Sequence, residues 1–452
     1  MDRSAAVPLA EWWRVFRDPT LDALIADAAA ANLEIRVAEA RIREARALRG
    51  VVRSALFPSL DVAGSASRAR LSGNTVMGQQ VEAAGLDLEQ DLFDAGLDMS
   101  WEIDVFGGRR RATEAAQAEW EAAGERGHEV LVSVLAEVGW NYLEWRGAQR
   151  QLAVARGNLA AQEQTAALTR DRFQAGLASE LDTARAEAQT ASTRAQIPPL
   201  EEIRHRAMHR LSVLLGRPPG EWVATADVDP GAGVVAPVIP IGLPSDLLRQ
   251  RPDLRRAERE VASASARIGV AKAELLPKFY LTGAAGFQSL QAEDWIDGGS
   301  RFWSLGPSVR WPIFNAGRIR QQIRAENARH EQALLRYEQT VLTSLEEVEN
   351  ALIGFGQEQE RRRALADAEA GTRRASVLAN ERYRGGLVDF LDVLDAERSL
   401  LAAQESLVQS DRLLGQHLVR LYKALGGGWS SDVVATASAE VGDWEQAERR
   451  KL

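Results

Sequence analysis

The chain has 452 residues, no cysteine, 6% aromatic residues and a formal net charge of -9, with acidic and basic side chains interleaved. The lack of cysteine excludes disulfides and thiolate metal sites, and the interleaved charge excludes a basic nucleic-acid surface. No apolar run reaches the roughly 18 residues that a transmembrane helix needs.

Ala5 to Pro19 reads as an extended lead. Asp18-Pro19-Thr20 opens a helix over about 21–50, and Pro58 ends it. The period then changes to two. Leu60, Val62, Gly64 and Ala66 share one face of a strand over 58–70, and Ser59, Asp61, Ser65 and Ser67 share the other. A polar loop over about 71–91 follows. In a second strand, 92–106, Phe93, Ala95, Leu97, Met99, Trp101, Ile103 and Val105 alternate with Asp94, Gly96, Asp98, Ser100, Glu102 and Asp104. A helix does not produce that alternation. A proline-free helix over about 109–173 comes next, on the order of 100 Å long if unbroken. Gly176 turns the chain, and a helix over about 180–216 contains Pro198-Pro199, which should kink or split it. Residues 217–244 read as a connector.

The second half repeats the first. Ser245 caps a helix to about Glu274, strands follow over 277–289 and 302–314, and a proline-free helix runs to about Tyr383. A last helix ends near Leu425, and 427–452 is a tail without assigned structure. The turn Arg172-Phe173-Gln174-Ala175-Gly176-Leu177 returns 210 positions later as Arg382-Tyr383-Arg384-Gly385-Gly386-Leu387, and Trp101 returns as Trp311 at the same offset. The chain is therefore a duplication, with repeats over 1–216 and 245–426. Four strands with one apolar face, lying in two hairpins flanked by polar helices, fit a transmembrane β-barrel. Four strands cannot close one, so several copies must share it.

Five further stretches carry a resemblance. They are Trp12-Trp13-Arg14-Val15-Phe16-Arg17-Asp18-Pro19, Ala40-Arg41-Ile42-Arg43-Glu44-Ala45-Arg46, Trp101-Glu102-Ile103-Asp104-Val105-Phe106-Gly107, Arg251-Pro252-Asp253-Leu254-Arg255-Arg256-Ala257-Glu258 and Trp311-Pro312-Ile313-Phe314. With the stretch from Arg382 to Asp395, they make the chain resemble the outer-membrane efflux protein family, the TolC-like channels, most closely the NodT/OprM-like subgroup. The resemblance implies a mostly α protomer with a β membrane part. Three protomers would form a twelve-stranded barrel in Gram-negative outer-membrane lipid, on a long periplasmic helical barrel. It implies a passive exit duct for small molecules such as drugs, working with a periplasmic adaptor and an RND-type inner-membrane transporter. No catalysis, cofactor, metal or nucleic acid is expected. A type I protein secretion duct is the alternative within the family. A soluble coiled-coil scaffold is the alternative outside it, though a scaffold has no use for Trp-tipped amphipathic strands.

The resemblance also implies sites. Gly176, Leu177, Gly386 and Leu387 would be adaptor-contacting tips, although glycines there also serve as ordinary helix caps. Arg382, Tyr383, Arg384, Asp389, Asp392 and Asp395, with Asp182, would form a periplasmic gate. The arginine that closes the gate in some members would stand at Val388, so Arg382 or Arg384 is expected to replace it. Acidic residues at a helix start are also favoured by the dipole alone. Asp94, Asp98, Glu102, Asp104 and Arg310 would line a cation-preferring lumen, and Trp101, Trp303, Trp311 and Phe279 would sit at the membrane interfaces. His205 and His209 read as exposed histidines rather than a metal site.

Overall fold

The computed structural model describes residues 9–222 and 250–429. The predicted connector lies largely outside them, as do the predicted cap Ser245 and most of the tail. The chain divides into two units: Met1–Ala40, Gly124–Arg255 and Gln339–Leu452 form one, and Arg41–Ala123 and Arg256–Glu338 form the other. No helix among the described residues is long and apolar enough to cross a membrane.

The unit holding Arg41–Ala123 is organised on strands β1 (Ser59–Arg70), β2 (Glu89–Ile103), β3 (Lys278–Ser289) and β4 (Arg301–Arg310). They are not two separate hairpins. β2 also pairs with β3, giving one antiparallel sheet in the order β1-β2-β3-β4. That pairing satisfies backbone groups that two isolated hairpins would each leave open. The register pairs like with like over much of each ladder. Leu60 faces Met99, Trp101 faces Leu281 and Ala285 faces Trp303 on one side, while Asp61 faces Asp98, Glu102 faces Tyr280 and Lys278 faces Arg310 on the other. A one-residue slip would exchange the faces, so the apolar pattern itself specifies the register.

Three sequence readings change here. The polar loop contains a helix, α3 (Val76–Ala83), whose Thr75 side chain accepts from the Gly78 N–H. Two turns are too short for a helical period to show in the sequence. β2 starts at Glu89, three residues early, because its ladder continues through the Arg70–Glu89 pair. β4 ends at Arg310, not 314. Beyond it, the Trp311 indole turns back and donates to the Leu275 carbonyl at 3.0 Å, as the Trp101 indole donates to Leu56 at 3.0 Å. Each tryptophan thus ties a strand end to the turn leading into the other strand of its pair.

The unit holding Gly124–Arg255 is helical. Its elements are α1 (Pro19–Ala31), the start of α2 (Leu33–Ser54), much of α4 (Gly108–Gln174), α5 (Glu180–Leu214), much of α7 (Arg318–Arg384) and α8 (Phe390–Ala424). α6 (Pro252–Ala273) begins here as well. The lead is not extended: Leu9–Phe16 is a 3-10 helix with Trp12 buried. Its ring stacks on Tyr422 at 5.9 Å, and Leu9 accepts from the Gly428 N–H at 3.0 Å. The single predicted helix over 21–50 is broken at Asn32. The Asn32 side-chain oxygen caps α2 through the N–H groups of Glu34 (2.8 Å) and Ile35 (3.2 Å), and its amide donates to the Leu214 carbonyl at 2.8 Å. One buried side chain thus starts a helix and holds the end of another.

α5 is neither split nor ended at Pro198-Pro199. Both prolines are exposed, as are Arg194 and Ala195, whose carbonyls lose their donors. Water can reach those carbonyls, which lowers the cost of the missing bonds. α4 and α7 have 67 residues each, and α5 and α8 have 35 each.

The core of this unit packs Leu21, Leu24 and Ile25 of α1 against Val134, Val138 and Trp145 of α4 and Leu211 and Leu214 of α5. Away from that core, α8 packs in smaller apolar clusters and makes polar contacts besides. Gln404 accepts from Asn158 at 2.7 Å, Asp411 accepts from Arg362 at 2.5 Å, Ser410 donates to Glu358 at 2.5 Å, and Arg412 pairs with Glu144.

Candidate functional site at the helix turns

α4 ends, α5 begins, α7 ends and α8 begins within one cluster. Ala166, Ala186, Tyr383, Phe390, Val393 and Leu394 form its buried centre, with Val388 packed against it. Both turns use one geometry. Leu177 donates to the Arg172 carbonyl at 2.7 Å and Gly176 to Phe173 at 2.9 Å; Leu387 donates to Arg382 at 2.9 Å and Gly386 to Tyr383 at 3.0 Å. These are paired six-to-one and five-to-two closures, which need a left-handed residue. Gly176 and Gly386 supply it with φ of +73° and +71°. The closures push the next side chains outward, leaving Leu177 68% and Leu387 76% exposed.

The acidic residues divide by role. Asp182 accepts from the Ser179 N–H at 3.1 Å, while Ser179 Oγ accepts from the Asp182 N–H at 3.2 Å. This is a reciprocal capping box, so Asp182 is committed to starting α5 and is not brought to Tyr383. Asp389, at the equivalent of Ser179, makes no side-chain cap bond. Asp389, Asp392 and Asp395 are all exposed, and none pairs with a cation among the described residues.

Tyr383 is buried, 4% exposed. The expected arginines do not reach it: Arg382 and Arg384 are exposed and make no side-chain hydrogen bond or ion pair among the described residues. The arginine at Tyr383 is Arg172, from the other repeat. It lies over the ring at 4.6 Å from the centroid and donates to the Tyr383 carbonyl at 2.9 Å. The sequence shows Arg172 only as the partner of Arg382 in the duplication, which gives no hint that the turns clasp.

Sequence reading also passes over Glu397. It is buried on α8 and accepts from Thr165 of α4 at 3.1 Å and from Asn380 of α7 at 3.4 Å. Burial pushes its carboxyl above the ordinary value of 4.5, and the two hydrogen bonds pull the other way. A raised acid binds its proton more readily folded than unfolded, so stability falls as pH rises from 4.5 through the folded value. Glu397→Gln is therefore expected to melt several degrees higher than the parent at pH 7.5. The difference should vanish near pH 4, and an equal difference at both pH values would exclude titration of Glu397 as its source.

On the sheet, Asp94, Asp98, Glu102 and Arg310 lie on the polar face, and Trp101, Phe279 and Trp303 lie on the apolar face. Trp303 is 80% exposed. Trp311 lies past the end of β4. Asp104 is not a face residue. It lies beyond β2 and accepts from the Arg109 and Arg110 N–H groups at 3.0 and 2.8 Å, capping α4.

Comparison with known proteins agrees with this architecture. The profile of the outer membrane efflux protein family matches residues 24–217 and 243–427. The toluene efflux pump outer membrane protein TtgF of Pseudomonas putida is 35% identical over 423 residues, 93% of this chain and 86% of TtgF. The pyoverdine export outer membrane protein OpmQ of Pseudomonas aeruginosa is 34% identical over 432 residues, 95% of this chain and 90% of OpmQ. The solved outer-membrane channel OprN superposes with a TM-score of 0.85 at 38% identity, covering 95% of this chain and 94% of that one. The chain belongs to the outer membrane efflux protein family, in its NodT/OprM-like branch, and is an outer-membrane protein with a large periplasmic part.

Proposed function

We propose that three copies of this chain close a twelve-stranded barrel and form the passive exit duct of a tripartite efflux system for small molecules. The sheet carries this reading. Its four strands present one continuous apolar face, and β1 and β4 are edges without a partner among the described residues. Unpaired backbone groups in lipid cost several kcal/mol each. β4 of one copy beside β1 of the next removes both edges, and three copies pass the roughly eight strands of the smallest barrels.

The helix turns are a second working surface. The outward Leu177 and Leu387, each beside a left-handed glycine, offer paired apolar knobs to a periplasmic adaptor. An RND-type inner-membrane transporter would supply energy and choose the cargo. The duct itself supplies a water-filled path lined by Asp94, Asp98, Glu102 and Arg310, with no catalytic step. The names of TtgF and OpmQ, for toluene efflux and pyoverdine export, favour small-molecule cargo.

Purified protein in detergent is expected to scatter light as three chains and to form cation-preferring channels in planar bilayers. A detergent-free soluble monomer without conductance would overturn the proposal.

A further inference from the structure

The geometry points to Arg172 as the positioning residue that clasps the two helix turns together and, through Tyr383, locks the start of α8. Its consequence for closure rests on the reading of these turns as the gated end of the duct.

The first observation is the contact itself. The Arg172 guanidinium stacks on the Tyr383 ring and bonds the Tyr383 carbonyl with the same head group. That carbonyl belongs to the last turn of α7, where no intrahelical donor reaches it; it accepts from the Gly386 N–H of the turn and, with its other lone pair, from Arg172. A cation there is favoured at once by the helix dipole and by the ring quadrupole. Arg172 Nε and the Tyr383 hydroxyl are buried without a partner among the described residues. Stacking and the carbonyl bond are therefore what join the two residues.

The second observation is asymmetry. The duplication places Arg382 at the equivalent of Arg172 and Phe173 at the equivalent of Tyr383. Arg382 is nevertheless exposed, and Phe173 is 42% exposed. One turn grips the other without a reciprocal grip, so at the turns themselves the clasp comes from one side only, added to the buried cluster that the two pairs of helices share.

The third observation is what the grip holds. Tyr383 packs edge-on against Phe390 at 5.7 Å, within the cluster that includes Val393 and Leu394. Phe390 is the first residue of α8, directly after Asp389. Displacing the start of α8 must pull Tyr383 from beneath the guanidinium or carry both turns along. Arg172 thus acts on the acidic residues of α8 through Tyr383 and Phe390.

The test uses the chain's lack of cysteine. Val393→Cys places a single thiol in the buried cluster of the full-length protein reconstituted in lipid. Adding Arg172→Gln is expected to speed maleimide labelling of that thiol several-fold, without a matching fall in melting temperature. Arg172→Lys keeps the charge but loses the planar fork, so it should fall between the two; it carries the test if Arg172→Gln does not fold. Arg170→Gln, which breaks an exposed pair with Glu187, should label at the parent rate. Bilayer conductance of Arg172→Gln is expected to rise in parallel with labelling. Unchanged labelling overturns the clasp. Faster labelling with unchanged conductance upholds the clasp and instead sinks the placement of the gate at these turns.

Discussion

Replacing Asp389 and Asp392 together by alanine is expected to lower the cation preference of the channel several-fold while leaving its thermal stability nearly unchanged. The two halves of this result come from different physics. Asp389 occupies the cap position of α8 but makes no side-chain cap bond, and Asp392 is exposed. Their stabilising effect is thus limited to the helix dipole, roughly 0.3–1 kcal/mol each. In the three-copy duct proposed above, each residue repeats as a ring of like charge, which concentrates cations there. The effect should be large at 0.1 M salt, where the screening length is about 10 Å, and small at 1 M, where it is about 3 Å. Selectivity that is unchanged at low salt would remove these carboxylates from the conduction path.

Trp12→Ala is expected to cost about 3–5 kcal/mol, as large aromatic truncations in a core do. Trp12 is buried, stacked on Tyr422 and set edge-on to Trp13 and Phe16. Its cluster includes Ala136 and Leu143 of α4 and Val419 of α8. The sequence already shows the accommodation on the opposite side. Gly139 lies inside α4, where glycine costs roughly 0.5–1 kcal/mol relative to alanine. A Cβ at Gly139 would come within 2.7 Å of the Trp12 ring, so the helix gives up a side chain to admit the indole. Gly139→Ala alone should therefore destabilise, by about 1–3 kcal/mol for overpacking. In a Trp12→Ala background the same change should be neutral or stabilising. Melting curves of the two single variants and the double variant decide this, and strictly additive shifts would show that the two residues do not share the site.

The expected roles of individual charged residues changed most between sequence and structure. Asp182 and Asp392 are equivalent by the 210-residue offset, yet one closes a capping box and the other is free. The difference is the residue three positions earlier. Ser179 can both accept and donate, whereas Asp389 repels a second carboxylate. That contrast was present in the sequence and could have been read there. The role of Arg172 could not, because its partner lies 211 positions away, and only the packing of four helix ends brings the two together.

Sequence alone determined the features that repeat at short range. Strand faces follow from a period of two, chain reversals from glycines able to take positive φ, and the duplication from one constant offset. Each is a local steric or periodic property that needs no distant partner. Tertiary structure decided everything that depends on which element a side chain meets. The β2–β3 pairing, the break at Asn32, the burial of Glu397 and the clasp of Arg172 on Tyr383 all join residues far apart in the chain. Their energies come from shared burial and mutual hydrogen bonding, which exist only after the chain has folded.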